Sequence, residues 1–284
     1  MAGRIECFQD LHYLAESFSL PSQESDQEFL YTSFTHIDAD DHAYFGCIDK
    51  PKLQIPLEEY SRALQLISDE EIYPLFHDSE SDTKQPLSAA PDDLNLAIAG
   101  AAGLKGIYIK RPPIGNYDWY KEEDCLEIIP ATLLEEATAL QQISQHPQHP
   151  NIVKSYGCRT RRGRITGLMM SKYEENLREL LKKGKAVNKE RILKGLESSV
   201  RHLHSLGLAH NDINPSNVMM VDEASGEPVL VDFGSCHKIG DKLTASGGTP
   251  GWTEDGDDYT HSKVSNDTSA LDKIRAWLEN PTFE

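Results

Sequence analysis

The most constraining feature of this sequence is a pair of short polar segments in its C-terminal half. The first runs His210-Asn-Asp-Ile-Asn-Pro-Ser-Asn217, and the second, Asp232-Phe-Gly234, follows the apolar stretch Pro228-Val-Leu-Val231. An Asp, an Asn five residues later and a second Asp place three side-chain oxygens on two adjacent turns. Such oxygens can bind Mg²⁺ on the phosphates of a nucleotide and leave one carboxylate free to accept a proton. The pair predicts a phosphoryl-transfer site, although ordinary turns are also rich in these residue types.

Both segments resemble the protein kinase superfamily, whose catalytic loop reads His-Arg-Asp-x-x-x-x-Asn and whose metal-binding turn reads Asp-Phe-Gly. Downstream, Gly248-Thr-Pro-Gly-Trp252 is similar to the Gly-Thr-x-x-(Tyr/Trp) segment of kinases. A predicted helix over residues 267–278, beginning with Asp267, resembles the central helix of the kinase large lobe. The resemblance covers about residues 96–284 and implies an α+β fold with two lobes. The residues of these motifs are most similar to those of short, divergent kinase-like proteins of fungi.

The resemblance implies a role for each polar residue of these segments. Asp212 would accept the proton of the substrate hydroxyl, and Thr249 would brace Asp212. Asn217 and Asp232 would bind Mg²⁺, while the leading Asp267 of the central helix would hold the catalytic loop by its backbone N–H groups.

The strand predicted at residues 106–110 ends in Lys110 and resembles the third strand of kinases. In kinases, the Lys of that third strand contacts the α- and β-phosphates of ATP and pairs with a Glu on the following helix. Glu136 is the better candidate than Glu135 for that partner, because it shares a helix face with core-facing apolar residues. The alternative, that both residues are ordinary surface charges, is disfavoured by His149-Pro-Asn-Ile-Val153, a phrase common after this helix in kinases.

The resemblance also implies a nucleotide pocket, with ATP and Mg²⁺ as cofactors. Met170 would lie at its back, and the backbone of residues 171–173, ending at Tyr173, would face the adenine edge. Tyr108 stands where kinases have a small Ala against the adenine. The glycines that precede Lys110 leave no room for a phosphate loop followed by a strand, so the small lobe is expected to be reduced: Gly100, Gly103 and Gly106.

The large lobe departs from the kinase pattern at two loop positions and at its end. Asn211 replaces the Arg that receives an activation-loop phosphate, and Asn214 replaces the Lys that neutralises the transferred phosphoryl group. Thr253-Glu-Asp-Gly256 replaces the Ala-Pro-Glu motif, and the sequence given ends at Glu284, soon after the central helix. These features lead us to expect a C-terminally truncated large lobe.

The charge of the chain is concentrated in its N-terminal third. The formal net charge is -18, of which residues 1–95 contribute -15 and residues 96–284 contribute -3. An acidic segment repels nucleic acid and anionic membranes, so neither is expected as a partner. Five scattered cysteines indicate neither disulfides nor a zinc site, and no apolar run reaches the roughly 20 residues that span a bilayer. We expect an intracellular protein, cytoplasmic or nuclear.

Three regions are predicted: an acidic N-terminal extension (1–95), a kinase-like small lobe (96–170) and a truncated large lobe (171–284). Within the extension, residues 28–37 and 42–48 predict a β-hairpin, residues 56–67 an amphipathic helix and residues 77–93 a polar linker. The basic run 159–164 is typical of a solvated hairpin tip. Residues 1–76 are expected to pack on the protein, either on the truncated large lobe, whose central helix lacks apolar cover, or on the reduced small lobe.

Three functions remain open from the sequence. The first is an ATP- and Mg²⁺-dependent protein kinase of the Ser/Thr type, acting on a protein substrate. The second is a kinase-fold binding module with weak or no activity, whose partner would be another protein. The third, a small-molecule phosphotransferase, is disfavoured by the peptide-docking segment 248–252.

Overall fold

Alternating apolar and polar residues in the N-terminal part form a small antiparallel sheet. The structure is a computed structural model that describes residues 5–19, 27–77, 86–95, 106–221, 226–244, 248–253 and 259–283. The elements of the extension are β1 (Leu11–Phe18), β2 (Phe29–Ile37), β3 (Ala43–Ile48), α1 (Leu57–Ala63), β4 (Gln65–Leu66), α2 (Asp69–Ile72) and α3 (Asp92–Asn95). The strands are adjacent in the order β1-β2-β3-β4. A hairpin of β2 and β3 lies at the predicted place, whereas β1 was not predicted.

Two predictions within the extension are wrong. The helix predicted at 56–67 ends at Ala63, because Leu66 pairs with Tyr44 of β3 and draws the chain into the sheet. The predicted linker 77–93 is not a free connection over its described part. Residues 86–95 lie against the small lobe, where Ala89 forms a bridge with Cys158. Residues 78–85 lie outside the described residues.

The small lobe contains β5 (Ile107–Lys110), α4 (Tyr117–Glu122), α5 (Ile128–Ser144), β6 (Ser155–Arg161) and β7 (Arg164–Ser171). Its three strands are adjacent in the order β5-β7-β6, so β5 lies at an edge of the described sheet. The extension packs on this lobe, which is one of the two places expected for residues 1–76. Eight buried apolar residues from both parts form a shared cluster: Ile37, Ala43, Ile67, Ile72, Tyr73, Ile114, Tyr117 and Ile129.

The basic run 159–164 is not a solvated hairpin tip. Arg159 is fully buried and donates to the carboxylate of Asp41 in the extension. Arg162 forms an ion pair with Asp69, and the guanidinium of Arg164 donates to the carbonyl of Tyr73. The arginines of this hairpin therefore contact the acidic extension, and Arg162 also remains exposed to solvent.

The large lobe contains β8 (Glu175–Asn176), α6 (Leu177–Lys182), α7 (Lys189–Ser205), β9 (Leu208–Ala209), β10 (Val218–Met220), β11 (Pro228–Leu230), β12 (His237–Lys238) and α8 (Val264–Glu279). The side chain of Asn188 caps α7 by accepting from the backbone N–H of Arg191. Leu271, Ile274 and Leu278 of α8 are buried in the same core as α7, so the apolar face of α8 is covered within the described chain. None of the described helices combines the length and the apolar character needed to cross a lipid bilayer.

Candidate active site

Lys110, Glu136 and Asp232 meet between the two lobes. The Nζ atom of Lys110 lies 2.7 Å from Oε2 of Glu136 and 2.8 Å from Oδ1 of Asp232. The other carboxylate oxygen of Glu136 accepts from the backbone N–H of Phe233 at 3.1 Å. Glu135 faces elsewhere, with its carboxylate accepting from the hydroxyl of Thr244 at 2.7 Å. The helix-face argument therefore selected the Glu that contacts Lys110.

The three charges of this group shift one another's pKa values. Burial raises the pKa of Glu136, and the charge of Lys110 reverses only part of that rise. Burial alone would lower the pKa of Lys110, but Glu136 and Asp232 hold it above its ordinary value. Burial also raises the pKa of Asp232, yet the charge of Lys110 outweighs this and the net pKa is lowered. Lys110 is thus a cation at neutral pH, held beside the ionised and half-exposed Asp232.

The carboxylate of Asp212 is held by donors from three residues. Its Oδ1 accepts from the backbone N–H of Thr249 at 2.7 Å and from Nδ2 of Asn214 at 3.1 Å. Its Oδ2 accepts from Nδ2 of Asn217 at 3.0 Å. Thr249 contacts Asp212 through its main chain, since its hydroxyl accepts from Asn214. The amide nitrogen of Asn217 faces Asp212, so its amide oxygen is the atom that can bind a cation.

Sequence reasoning missed the contacts of Asn214, which it treated only as a lost Lys. The side-chain oxygen of Asn214 accepts from the backbone N–H groups of Ser216 and Asn217, while its nitrogen holds Asp212. An Asn directly before Pro215 is typical of such a cap, and this signal could have identified it. Asn214 therefore positions the catalytic loop while adding no charge.

Asp267 lies beneath the loop and is fully buried. Its two oxygens accept from the backbone N–H groups of Asn211 at 2.8 Å and His210 at 3.0 Å. Nε2 of His204 lies 2.8 Å from the same carboxylate. Asn211 has a backbone φ of 62°, a left-handed conformation that Asn adopts more readily than most residues. The carboxylate of Asp267 thus holds the loop by two of its backbone N–H groups, as expected from the resemblance.

A cavity of about 240 Å³ lies above these groups. One end is polar, with Lys110, Asn217 and Asp232. Apolar and aromatic side chains line the remainder: Tyr108, Val153, Met170, Tyr173, Met219 and Val231. Met170 and Tyr173 thus line the same cavity as the polar residues. An apolar chamber with a charged end suits a nucleoside that carries phosphates.

Comparison with known proteins shows a similarity to protein kinases. The family model described as protein kinase domain matches residues 119–254, just under half of the chain. Over this region the chain is similar to eukaryotic protein kinases. It is 25% identical over 167 residues to the serine/threonine-protein kinase/endoribonuclease IRE1 of Hypocrea jecorina, and the match covers 55% of this chain and 12% of that protein.

Two further relatives show the same similarity. The chain is 34% identical over 101 residues to mitogen-activated protein kinase 15 of Caenorhabditis elegans, covering 34% of this chain and 21% of that protein. It is 43% identical over 70 residues to the serine/threonine-protein kinase SMU1 of Mycosarcoma maydis, covering 24% of this chain and 8% of that protein. The chain therefore spans a small part of each relative's length. The family match begins after Lys110, so this lysine is assigned to the site by its contacts.

Proposed function

We propose that this kinase transfers the γ-phosphoryl group of ATP to a Ser or Thr hydroxyl of a protein substrate, with Mg²⁺ as the metal. The observation that carries the proposal is the convergence of Lys110, Asp232 and Asn217 on one cavity. Asp212, in the same loop as Asn217, is held in place by three donors. A phosphate-binding cation, two metal-ligand oxygens and a proton acceptor are the parts that phosphoryl transfer requires.

The residues present fit both ATP and Mg²⁺. Asp232 and Asn217 offer one carboxylate and one amide oxygen, and Mg²⁺ commonly takes one or two such ligands together with phosphate oxygens. Lys110 supplies a fixed positive charge for the phosphates, and Met170 and Tyr173 supply an apolar surface for the base. Bound Mg²⁺ would neutralise phosphate charge during transfer.

In this scheme the chain's own groups orient the reactants and accept the proton. Asp212 takes the proton from the attacking hydroxyl, and Asn214 and Thr249 keep its carboxylate in position. Asn214 brings no positive charge to the transferred group. The loss of one such stabilising group costs about 3 kcal/mol, or ~10² to 10³ in rate, so we expect slow turnover.

One observation favours a second candidate, a nucleotide-binding module with weak or no activity. Tyr108 lines the cavity at the position where kinases have a small Ala, and half of its side chain is exposed. A bulky ring there reduces the space for a base. The cavity volume of about 240 Å³ lies below the range of about 300–1,000 Å³ typical of ligand pockets.

Thermal-shift titration with ATP, with and without Mg²⁺, tests the proposal. We expect Mg²⁺-dependent stabilisation of the wild type that Asp232→Ala abolishes, because Asp232 is the only carboxylate among the proposed metal ligands. Asp241→Ala removes an exposed carboxylate from the same segment and should leave the stabilisation unchanged. Equal stabilisation of wild type and Asp232→Ala by ATP and Mg²⁺ would contradict the assignment.

Phosphate transfer from radiolabelled ATP to a mixed protein substrate separates the two candidates. Under the kinase proposal, Asp212→Asn removes nearly all incorporation and leaves ATP affinity almost unchanged, because a proton acceptor acts only in the chemical step. ATP binding without any incorporation by the wild type would favour the binding module.

A further inference from the structure

The N-terminal extension inserts one buried carboxylate into the small lobe. Asp41 is fully buried and accepts from Nη2 of Arg111 at 2.7 Å, from Nε of Arg159 at 2.7 Å and from the hydroxyl of Thr166 at 2.8 Å. Arg161 lies slightly further away, with Nε at 3.8 Å. One residue of the extension thus joins the end of β5 to both strands of the β6–β7 hairpin.

This contact lies beside Lys110. Arg111 directly follows Lys110, and its second guanidinium nitrogen donates to the carbonyl of Thr166 at 2.9 Å. β5 is only four residues long, and among the described strands it pairs with β7 alone. Asp41 therefore fixes the end of a short edge strand on which the phosphate-binding Lys depends.

The extension also holds the helix that carries Glu136. Ile129, in the first turn of α5, is fully buried in a cluster with Ile72 and Tyr73 of the extension. Ile129 lies seven residues before Glu136, and that spacing places both on one face of the helix. The hydroxyl of Tyr117, in the connection between β5 and α5, donates to the carboxylate of Glu71 at 2.7 Å.

We propose that residues 27–77 act as a built-in positioning element for the nucleotide site, and that Asp41 is a positioning residue for the Lys110–Glu136 pair. The inference rests on the proposed function, because Lys110 is taken to bind phosphates. Asp41 touches no reactant. It acts by keeping β5 and α5 at the separation that lets the two side chains meet.

The test compares Asp41→Asn, which keeps the shape of the side chain, with Asp40→Asn, which removes the same charge from an exposed neighbour. Affinity for ATP with Mg²⁺ and affinity for adenosine are measured for both. Lys110 contacts phosphates and not the base, so Asp41→Asn should weaken ATP binding about tenfold, within the usual range of coupling between sites. Adenosine binding should be unaffected, and Asp40→Asn should change neither affinity.

A double variant shows whether Asp41 acts through the pair. Glu136→Gln alone should weaken ATP binding, and adding Asp41→Asn should cause little further loss, since the pair is already broken. Fully additive losses would overturn the inference. Equal losses of ATP and adenosine affinity in Asp41→Asn would overturn it too, because they would indicate general damage to the fold.

Amide hydrogen exchange provides a readout that does not need a nucleotide. The amides of Ile128–Ser144 should exchange faster in Asp41→Asn than in Asp40→Asn, and equal rates would overturn the inference. If the wild type binds neither ATP nor adenosine, the proposed function fails and the exchange result alone decides the positioning role. Should Asp41→Asn not fold, Tyr73→Phe removes only the hydroxyl that donates to the carbonyl of Asp41 and should shift exchange in the same direction.

Discussion

At the scale of single residues, two asparagines replace the charged side chains that kinases carry in their catalytic loop. The side chain of Asn214 donates to the carboxylate and to the backbone carbonyl of Asp212. Asn211, in the same loop, is buried. The amide of Asn211 donates to the carbonyls of Ala209 and Ser235 and to the hydroxyl of Ser262, and its oxygen accepts from Asn266. Both replacements exchange a charge for a set of directional hydrogen bonds, so the loop is held by short contacts.

Tyr108→Ala should strengthen ATP binding. The ring lines the cavity where a nucleoside base would lie, and its removal enlarges that cavity. Calorimetric titration with ATP and Mg²⁺ should give a lower Kd for Tyr108→Ala and an unchanged Kd for Tyr108→Phe, which keeps the ring. Weaker binding by the Ala variant would show that the ring stacks on the base.

The sequence was informative at this scale wherever a residue belongs to a short motif. Asp212, Asn217 and Asp232 could be selected because the kinase motifs that they match have fixed spacing within two turns. The burial of Arg159 could not be predicted, because it depends on Asp41, 118 residues away in sequence. A basic run on its own indicates contact with solvent, and only the tertiary partner reverses that expectation.

At the scale of elements, hydrogen bonds attach the segment after Asp232 to the loop and to α5. Ser235 accepts from Asn211, and the exposed Thr244 donates to Glu135 of α5. A phosphate on Thr244 would lie beside that carboxylate and would be repelled by it. The described part of the segment is therefore held by hydrogen bonds that the uncharged side chains of Asn211 and Thr244 donate.

Activity should accordingly not require phosphorylation of this segment. Phosphatase treatment of the purified protein should leave the rate of phosphate incorporation unchanged. Thr244→Val, which retains the shape of the side chain but cannot be phosphorylated, should behave like the treated wild type. A large drop in activity after phosphatase treatment would contradict this expectation.

The connection between α5 and β6 makes stability sensitive to pH. His149 stacks on His202 of α7 with ring centroids 5.1 Å apart, and its Nδ1 accepts from the backbone N–H of Asn151. Burial, followed by the charge of His202, lowers the pKa of His149 below its ordinary value. The unfolded chain therefore binds more protons as the pH falls below about 6.5, and the free energy of unfolding decreases in that direction.

Melting temperatures between pH 7 and pH 5 test this effect. His149→Asn keeps an acceptor for the N–H of Asn151 but cannot titrate, so its melting temperature should fall less than that of the wild type. His146→Asn, at an exposed neighbouring position, should retain the slope of the wild type. Identical slopes for all three proteins would assign the pH dependence to other groups.

At the scale of the whole molecule, the extension and the small lobe share one apolar cluster and one buried ion network. The two-lobed organisation of the kinase-like motifs could be inferred from the sequence by resemblance. The position of the extension could not be inferred from the sequence. Its hairpin is specified by local residues, whereas its docking depends on side chains from strands that are distant in sequence. The sequence left two docking surfaces open, and burial in the structure distinguishes them.

Deletion of residues 1–90 should destabilise the protein strongly. It would leave Arg111 and Arg159 without the carboxylate of Asp41, and loss of one partner from a buried ion pair costs about 3–5 kcal/mol. A decrease in melting temperature of about 10 °C or more, or aggregation on size-exclusion chromatography, is the expected result. A deletion variant that stays monomeric with an unchanged melting temperature would show that the extension is an independent tail.

The separation between Asp41 and its partners also bears on how the chain is made. Arg159 follows Asp41 by 118 residues. At a synthesis rate of about 5–20 residues per second, the hairpin of β2 and β3 waits on the order of ten seconds before the β6–β7 hairpin exists. Ile67 and Ile72 are buried in the finished protein in a cluster that includes Ile114, Tyr117 and Ile129, and all three of these are synthesised later. The nascent extension therefore exposes apolar surface until the small lobe has been made.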